Sequence, residues 1–300
     1  MHLNSREEVS FVLNPVKVLL TGGLGNQLFQ VSAMKYFSDT FKRDFHLSIS
    51  RYSHTRWSHD LSWMPIFFQD QSALEKEFTF LTKIDRKLSN SFAVYARLRH
   101  VQVQHEIGFD SRFVIRESTN EIRGYFQSYI YAEKYKSDFA MKLSKVGHTN
   151  KLLEIRNLAD SRKPIALHVR CGDYLKLGRI YGSLSHVYYD EALDYLQQYG
   201  NLSDIWIFSD DLFHARKILS GSKYLSDMNF EIANQFDGTQ TMYLMSHCDR
   251  HIIANSTFSW WGAFLASKSR AVVAPEPWFR NGATPNQLIP REWKSIQRST

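Results

Sequence analysis

The stretch "VKVLLTGGLGNQLFQVSAMKYF", residues 16–37, reads as a strand, a glycine turn and a helix. Val16 to Leu20 is a short run of β-branched residues and leucine, the pattern of a buried strand. "TGGLGNQ" ends it. Beyond the turn, Leu28, Val31, Met34 and Phe37 recur at helical spacing. Glycines at such a junction let a ligand approach the backbone, and the helix start offers N–H groups at the positive end of its dipole. A dinucleotide fingerprint would need a third glycine where Leu28 stands and an acid at the end of the second strand. Asp44 instead precedes that strand, "FHLSIS" at 45–50. Two readings remain: a plain glycine turn, or an anion-facing loop that turns Gly23, Gly25, Asn26 and Gln27 toward a ligand. Asn26 is the polar side chain best placed to touch it.

The alternation recurs downstream. "PIALHVR" (164–170), "DIWIFSDD" (204–211), "HIIA" (251–254) and "RAVVAP" (270–275) read as strands. Between them "SHVYYDEALDYLQQYG" (185–200), "LFHARKIL" (212–219), "TMYLMSHC" (241–248) and "STFSWWGAFLAS" (256–267) read as helices. Strands alternating with helices predict parallel, doubly wound sheets, which take ligands beyond the carboxyl ends of their strands. "HVRCGDY", "FSDD" and "ANSTFS" all fall at such ends, and this gathers three separated segments into one cleft. A polar stretch at 144–164 predicts a division into two units, residues 1–155 and 156–300. Within 51–100 the clearest pattern is "LTKIDRKLSNSFAVYARLRH", where Leu81, Ile84, Leu88, Phe92, Tyr95 and Leu98 share a face. This basic amphipathic helix, 81–99, packs on its own domain or lies on a membrane surface beside a lipid-linked substrate.

Composition narrows the classes. The chain has 300 residues, 43% of them apolar, including 21 Phe, 15 Tyr and 7 Trp, so disorder is excluded and sizeable cores are expected. The net charge of +7 comes without a run of consecutive Lys and Arg. That argues against nucleic acid and for a phosphate-bearing small molecule or an anionic membrane surface. Cys171 and Cys248 are too few for a disulfide framework or a Cys-based zinc site. Neither HExxH nor CxxC occurs, so no metal site is expected. "MHLNSREEVS" at the N-terminus does not read as a signal peptide. The longest apolar window falls short of the ~20 residues of a spanning helix. A cytoplasmic protein, soluble or peripheral at a membrane face, is expected.

Each candidate residue has a plain reading beside a functional one. Arg170, at a strand end, suits a diphosphate because its planar fork carries a charge that does not titrate away. His168 precedes it by two and shares its face. Asp173 orients Arg170, accepts a proton from a substrate hydroxyl, or closes the loop as an ion-pair partner. A nucleophilic pair of Cys171 with His168 is disfavoured, since neighbours at a strand end point differently. Asp210 and Asp211 cap the next helix or line the cleft; a DD pair is a weak metal signal. Ser256 and Thr257 are natural N-caps, and N–H groups at such a helix start also hold phosphate. Trp260 and Trp261 read as core.

The segments "GGLGNQLFQ" (22–30), "HVRCGDYL" (168–175), "YGSLSHVYYDEAL" (181–193), "FSDD" (208–211) and "LMSHCDRHIIANSTFSWWGAFL" (244–265) resemble, in this order, the α-1,2-fucosyltransferase family, family 11 of the glycosyltransferases. The resemblance implies a GT-B-type α/β fold of two Rossmann-like domains with a cleft between them. Residues 1–155 would form the acceptor side with the Gly-rich loop, and residues 156–300 would bind GDP-β-L-fucose. It further implies inverting, metal-independent transfer of fucose to the 2-hydroxyl of a galactose-containing glycan, with no cofactor beyond the donor substrate. Arg170 matches the first Arg of an H-x-R-R-x-D motif that grips the diphosphate, and Asp173 matches its Asp. Asn26 matches the loop Asn that faces the donor, and with Arg170 and Asp173 it makes up the expected catalytic set. Gly23, Gly25, Gln27, His168, Asp210, Asn255, Ser256, Thr257 and Phe258 complete the expected donor-binding set. Three positions depart from the pattern: Cys171 stands for the second Arg, Tyr181 for a His, and Thr241 for an acid. The alternatives are another nucleotide-sugar donor or a binding protein without turnover.

Overall fold

The computed structural model describes residues 15–49, 64–67, 74–75, 100–172, 182–225 and 236–298. The expected helix 81–99, Asp173 and Tyr181 lie outside the described residues. The buried run before the glycine turn is β1 (Val16–Leu20), followed by α1 (Leu24–Phe41) and β2 (Phe45–Ile49). A short helix α2 (Met64–Phe67) and three more strands, β3 (Leu74–Glu75), β4 (Val101–Val103) and β5 (Glu121–Arg123), complete the first sheet unit. Its order is β3-β2-β1-β5-β4, with parallel pairing throughout, Val18 lying between Leu47 and Ile122. The chain winds outward from β1 through β2 and β3, then crosses to the other side. The topological switch point therefore lies between β1 and β5.

Helices α3 (Tyr129–Ala132), α4 (Lys136–Leu143) and α5 (Asn150–Arg162) lead to the second sheet. Thr149 caps α5 by accepting from the Leu152 N–H, and Lys163 ends it in the left-handed region. The remaining elements are β6 (Ile165–Val169), α6 (His186–Leu196), β7 (Ile205–Ser209), α7 (Leu212–Leu219), α8 (Gly238–Ser246), β8 (Arg250–Ile252), α9 (Thr257–Phe264), β9 (Ala271–Glu276) and β10 (Lys294–Gln297). Their sheet is again parallel, in the order β10-β9-β8-β6-β7. Its switch point lies between β6 and β8. The strand expected at 251–254 starts one residue earlier, and the Ile253 N–H still bonds to Val273 O at 3.0 Å past its assigned end. Two doubly wound units with their switch points turned toward each other make up the expected GT-B-type α/β architecture. The division expected between 155 and 156 falls inside α5, which packs on α8 of the second unit.

One apolar cluster fills the second unit on the α6–α7 side of its sheet, with Ile165, Leu167, Val169 and Cys171 from the β6 segment. The other runs without interruption through both units. At its centre Phe29 of α1 meets Trp260 and Trp261 of α9, at 4.6 and 5.1 Å between ring centroids. Both tryptophans are fully buried, as their sequence setting predicts. Each indole N–H finds a carbonyl: Trp261 donates to Gly25 O at 3.0 Å and Trp260 to Leu288 O at 2.9 Å. Between β9 and β10 the chain crosses back to the first unit. There the Phe109 N–H donates to Asn286 O at 2.9 Å, and the Tyr129 N–H and Ser128 hydroxyl both donate to Gln287 O. Gly108 permits this crossing, since a Cβ there would lie 2.3 Å from the Asn286 backbone. No helix among the described residues is long and apolar enough to cross a membrane.

Candidate functional site

The glycine turn divides its labour by position. Gly22 has φ +77°, and a Cβ on it would lie 2.5 Å from the Asn26 amide nitrogen. Gly23 occupies the capping position of α1 and faces open space. Gly25 is buried where α1 meets the start of α9, and a Cβ there would come within 2.5 Å of the Thr257 carbonyl carbon. Gln27 is 1% exposed and donates to Gly22 O at 2.7 Å, closing the turn. Of the four loop residues expected to face a ligand, Gly25 and Gln27 are thus engaged in holding the turn and the helix contact.

Asn26 lies half-buried at the junction of three segments. Its Oδ1 accepts from Gln127 Nε2 at 3.0 Å and from Thr257 Oγ1 at 3.0 Å. Gln127 follows β5 at the first switch point, and Thr257 opens α9 beyond β8 at the second. Asn26 therefore ties the two switch points together, with its Oδ1 engaged by protein donors. Behind it, buried Gln30 bonds to the Thr21 N–H and hydroxyl and donates to Gly124 O at 3.1 Å, clamping the ends of β1 and β5.

At the second switch point Arg170 pairs with Asp210, with NH1 to Oδ2 at 3.1 Å. The other Asp210 oxygen accepts from the Cys171 N–H at 2.9 Å. Gly172 makes room for this carboxylate, since a Cβ there would lie 2.4 Å from Oδ2. Arg170 lies beyond β6 and Asp210 beyond β7, so adjacent parallel strands bring them together. The neighbouring acid has a different role: Asp211 caps α7, accepting from the His214 N–H at 3.1 Å and meeting the imidazole Nδ1 at 2.7 Å.

His168 is 3% exposed, and its ring lies 6.0 Å from that of Phe258. Burial, opposed by Asp210 and assisted by Arg170, lowers its pKa to about 3, so the imidazole is neutral. Cys171 sits on the opposite side of the sheet in the second-unit core, and burial followed by Asp210 raises its thiol to about 12. A thiolate nucleophile does not form under those conditions. The position that the resemblance assigns to a second Arg holds a core side chain.

The start of α9 departs from the expected capping. Ser256 occupies the N-cap, but its side chain makes no capping hydrogen bond. Thr257 directs its hydroxyl to Asn26 instead. The starts of α1 and α9, both without a side-chain cap, abut at Gly25. The start of α8 lies alongside, with Gly238 facing Leu24 and Phe258, but the Asp237 carboxylate and Gln240 close it in a capping box. An anion is thus favoured at α1 and α9 and disfavoured at α8. Thr241 lies one turn into α8. Asn255 is 1% exposed and donates to Trp278 O, which also accepts from Arg298 NH1 at 3.0 Å. Arg298 NH2 donates to Gly182 O at 2.6 Å, anchoring the backbone just before α6. Among the described residues no group of three His, Cys, Asp or Glu could hold a metal ion.

Gln127 and Arg298 carry no sequence signal of their own, and Gln30 closes the segment "GGLGNQLFQ" without marking itself as a clamp.

A family model described as glycosyl transferase family 11 matches residues 15–297. An alpha-1,2-colitosyltransferase of Escherichia coli is 25% identical over 295 residues, covering 93% of this chain and 98% of that protein. An O-antigen biosynthesis glycosyltransferase of Escherichia coli, WbnK, is 26% identical over 317 residues, covering 92% and 99%. Among solved structures, a mutant of Arabidopsis thaliana FUT1 in complex with GDP is similar at 12% identity and a TM-score of 0.47, covering 92% of this chain and 73% of that one. With the model spanning nearly the whole chain, the protein is a glycosyltransferase and belongs to glycosyl transferase family 11.

Proposed function

We propose that the protein transfers L-fucose from GDP-β-L-fucose to the 2-hydroxyl of a galactose in an oligosaccharide or surface-polysaccharide acceptor, with inversion and without a required metal. One observation carries the reading: Arg170 stands beyond the central strand β6, held by Asp210 at 3.1 Å, and the neighbouring strand β8 leads into a helix start with no side-chain cap. Breaking the sugar–diphosphate bond passes through an oxocarbenium-like state while charge grows on the leaving phosphate. A fixed guanidinium and helix-start N–H groups stabilise that charge most in the transition state. They supply what a metal would otherwise supply. Asn26 Nδ2, on the amide end opposite its two protein donors, is a further donor for the same region. Asp173 is the proposed base that takes the proton of the attacking hydroxyl. Inversion follows from a single displacement with the attacking oxygen opposite the leaving group.

The relatives support the acceptor and the donor class. One bears a name from O-antigen biosynthesis, which supports a surface-glycan acceptor. The other is named for colitose, a deoxy sugar close to fucose, and this favours a second reading in which the donor carries such a sugar. The test is purified protein with GDP-fucose, GDP-colitose and UDP-sugars against a panel of β-galactosides, with and without EDTA. Transfer from GDP-fucose that survives EDTA supports the proposal, and transfer only from another donor replaces it. Arg170→Ala should lower transfer by ~100-fold or more while leaving the fold intact. Near-normal turnover would sink the site assignment.

A further inference from the structure

We propose that Gln127 reads a sugar hydroxyl, its side-chain carbonyl oxygen accepting a hydrogen bond from a sugar bound in the cleft. The backbone before it is unusual. Phe126 has φ +52° and is fully buried, and Gly124 makes room for its ring, which a Cβ would approach to 2.7 Å. A bulky residue rarely takes this left-handed conformation, and it persists only where its surroundings impose it. The consequence here is that Gln127 turns inward, with its backbone N–H on Ile107 O at 2.7 Å and its side chain 7% exposed.

The two ends of that buried amide differ. Nε2 donates to Asn26 Oδ1. Oε1 is buried and has no hydrogen-bond partner among the described residues. A buried carbonyl oxygen without a partner is costly, and native proteins satisfy nearly all such groups. Its missing partner must be a hydrogen-bond donor, which a diphosphate is not. Gln127 is one hydrogen bond from Asn26 and two from the start of α9. On the reading of the preceding subsection, on which this inference rests, the diphosphate–sugar linkage lies there. The donor groups within reach are then hydroxyls of the transferred sugar or of the acceptor galactose.

The experiment measures kcat/KM of the full-length protein on single-deoxy analogues of both sugars, built on whichever donor the assay above identifies. A wrong donor assignment is therefore seen beforehand and separately. The wild type should use one analogue at least ~10-fold less well than its parent, because that analogue leaves the carbonyl unpaired. A donor-sugar analogue or an acceptor analogue at that place identifies the source. Gln127→Met should lower turnover of the parent and remove its advantage over that analogue, while the ratios for all other analogues stay as in the wild type. Gln127→Glu, which keeps an acceptor oxygen, should retain part of the discrimination. A wild type that uses every analogue as well as its parent overturns the proposal, even should the variants not fold. So does a Gln127→Met protein that lowers all substrates by one common factor, since that is the mark of a purely structural residue.

Discussion

Gly25 and Gly23 look alike in the sequence, and the structure predicts opposite outcomes for their replacement. A Cβ on Gly25 would sit 2.5 Å from the Thr257 carbonyl carbon and 2.6 Å from the Phe258 nitrogen, where ordinary contact begins near 3.4 Å. The starts of α1 and α9 must then part by about 1 Å. At that separation the Thr257–Asn26 and Trp261–Gly25 hydrogen bonds, both 3.0 Å, pass beyond bonding distance. Two such bonds are worth about 1 kcal/mol each, and overpacking adds about 1–3, so Gly25→Ala should lose about 3–5 kcal/mol. Helix propensity works the other way, since alanine is favoured over glycine by up to about 1 kcal/mol in a helix interior. A net loss therefore reports the close approach itself. With the smallest net loss at about 2 kcal/mol, thermal unfolding should show Tm lowered by at least about 4 °C, at about 2 °C per kcal/mol, the low end that suits a large chain. With the proposed donor site at this junction, a displacement of about 1 Å should also lower kcat/KM by about 100-fold. Gly23→Ala is the internal control: nothing lies within 4 Å of its Cβ position and its φ is −80°. Its stability should stay within about 0.5 kcal/mol of wild type. Equal melting temperatures for the two variants would refute the account of how the helix starts meet.

Three further outcomes follow from the second switch point and its surroundings. Asp210→Asn keeps an acceptor for the Cys171 N–H but exchanges a charge-assisted contact to Arg170 for a neutral one, a difference of about 1–2 kcal/mol. Donor KM should rise about 5- to 30-fold with a smaller change in kcat, and an unchanged KM would refute the positioning role. His168 and His251 are held neutral by burial, at about 3 and about 4, against an ordinary value of 6.5. Above pH 6.5 neither the folded nor the unfolded chain is protonated there; below it only the unfolded chain binds the protons. Stability should therefore fall on acidification from about 6.5 downward, by up to about 1.4 kcal/mol per pH unit per histidine, and urea midpoints that hold steady from pH 7 to 5 would contradict it. With its thiol at about 12, Cys171 should resist alkylation in the native protein at pH 8 and react at the unfolded rate only in denaturant, as mass spectrometry of the modified peptide would show.

The strands and helices of the second unit were legible because each is short, apolar and bounded by polar strand-end segments. "HVRCG", "FSDD" and "ANSTFS" do meet at one edge, since parallel pairing brings the ends of β6, β7 and β8 side by side. Which residues touch was not legible. Asp210 stands forty residues from Arg170 in the chain, yet it pairs with it from the end of the adjacent strand. Asn26, Gln127 and Thr257 are separated by 101 and 231 positions from one another's bonding atoms, and no local pattern announces contacts of that range. Ser256 has the residue type of an N-cap, but the hydroxyl that bonds at this helix start is that of Thr257, drawn to Asn26. The return crossing at 285–288 has no hydrophobic period to betray it, being held through backbone carbonyls.

The continuous core bears on how parts of this protein could be recombined with those of its relatives. A graft that exchanged everything after residue 149 would bring a foreign α9 against the resident α1. Phe29, Gly25 and the two indoles would then have to fit by chance. The 285–288 crossing would likewise meet a foreign 107–109 and 128–129. The natural unit of exchange is discontinuous: residues 150–298 together with α1 and the segments beside Gly108 and Ser128. Hybrids cut at the linker alone should be insoluble, and those that carry α1 along should fold.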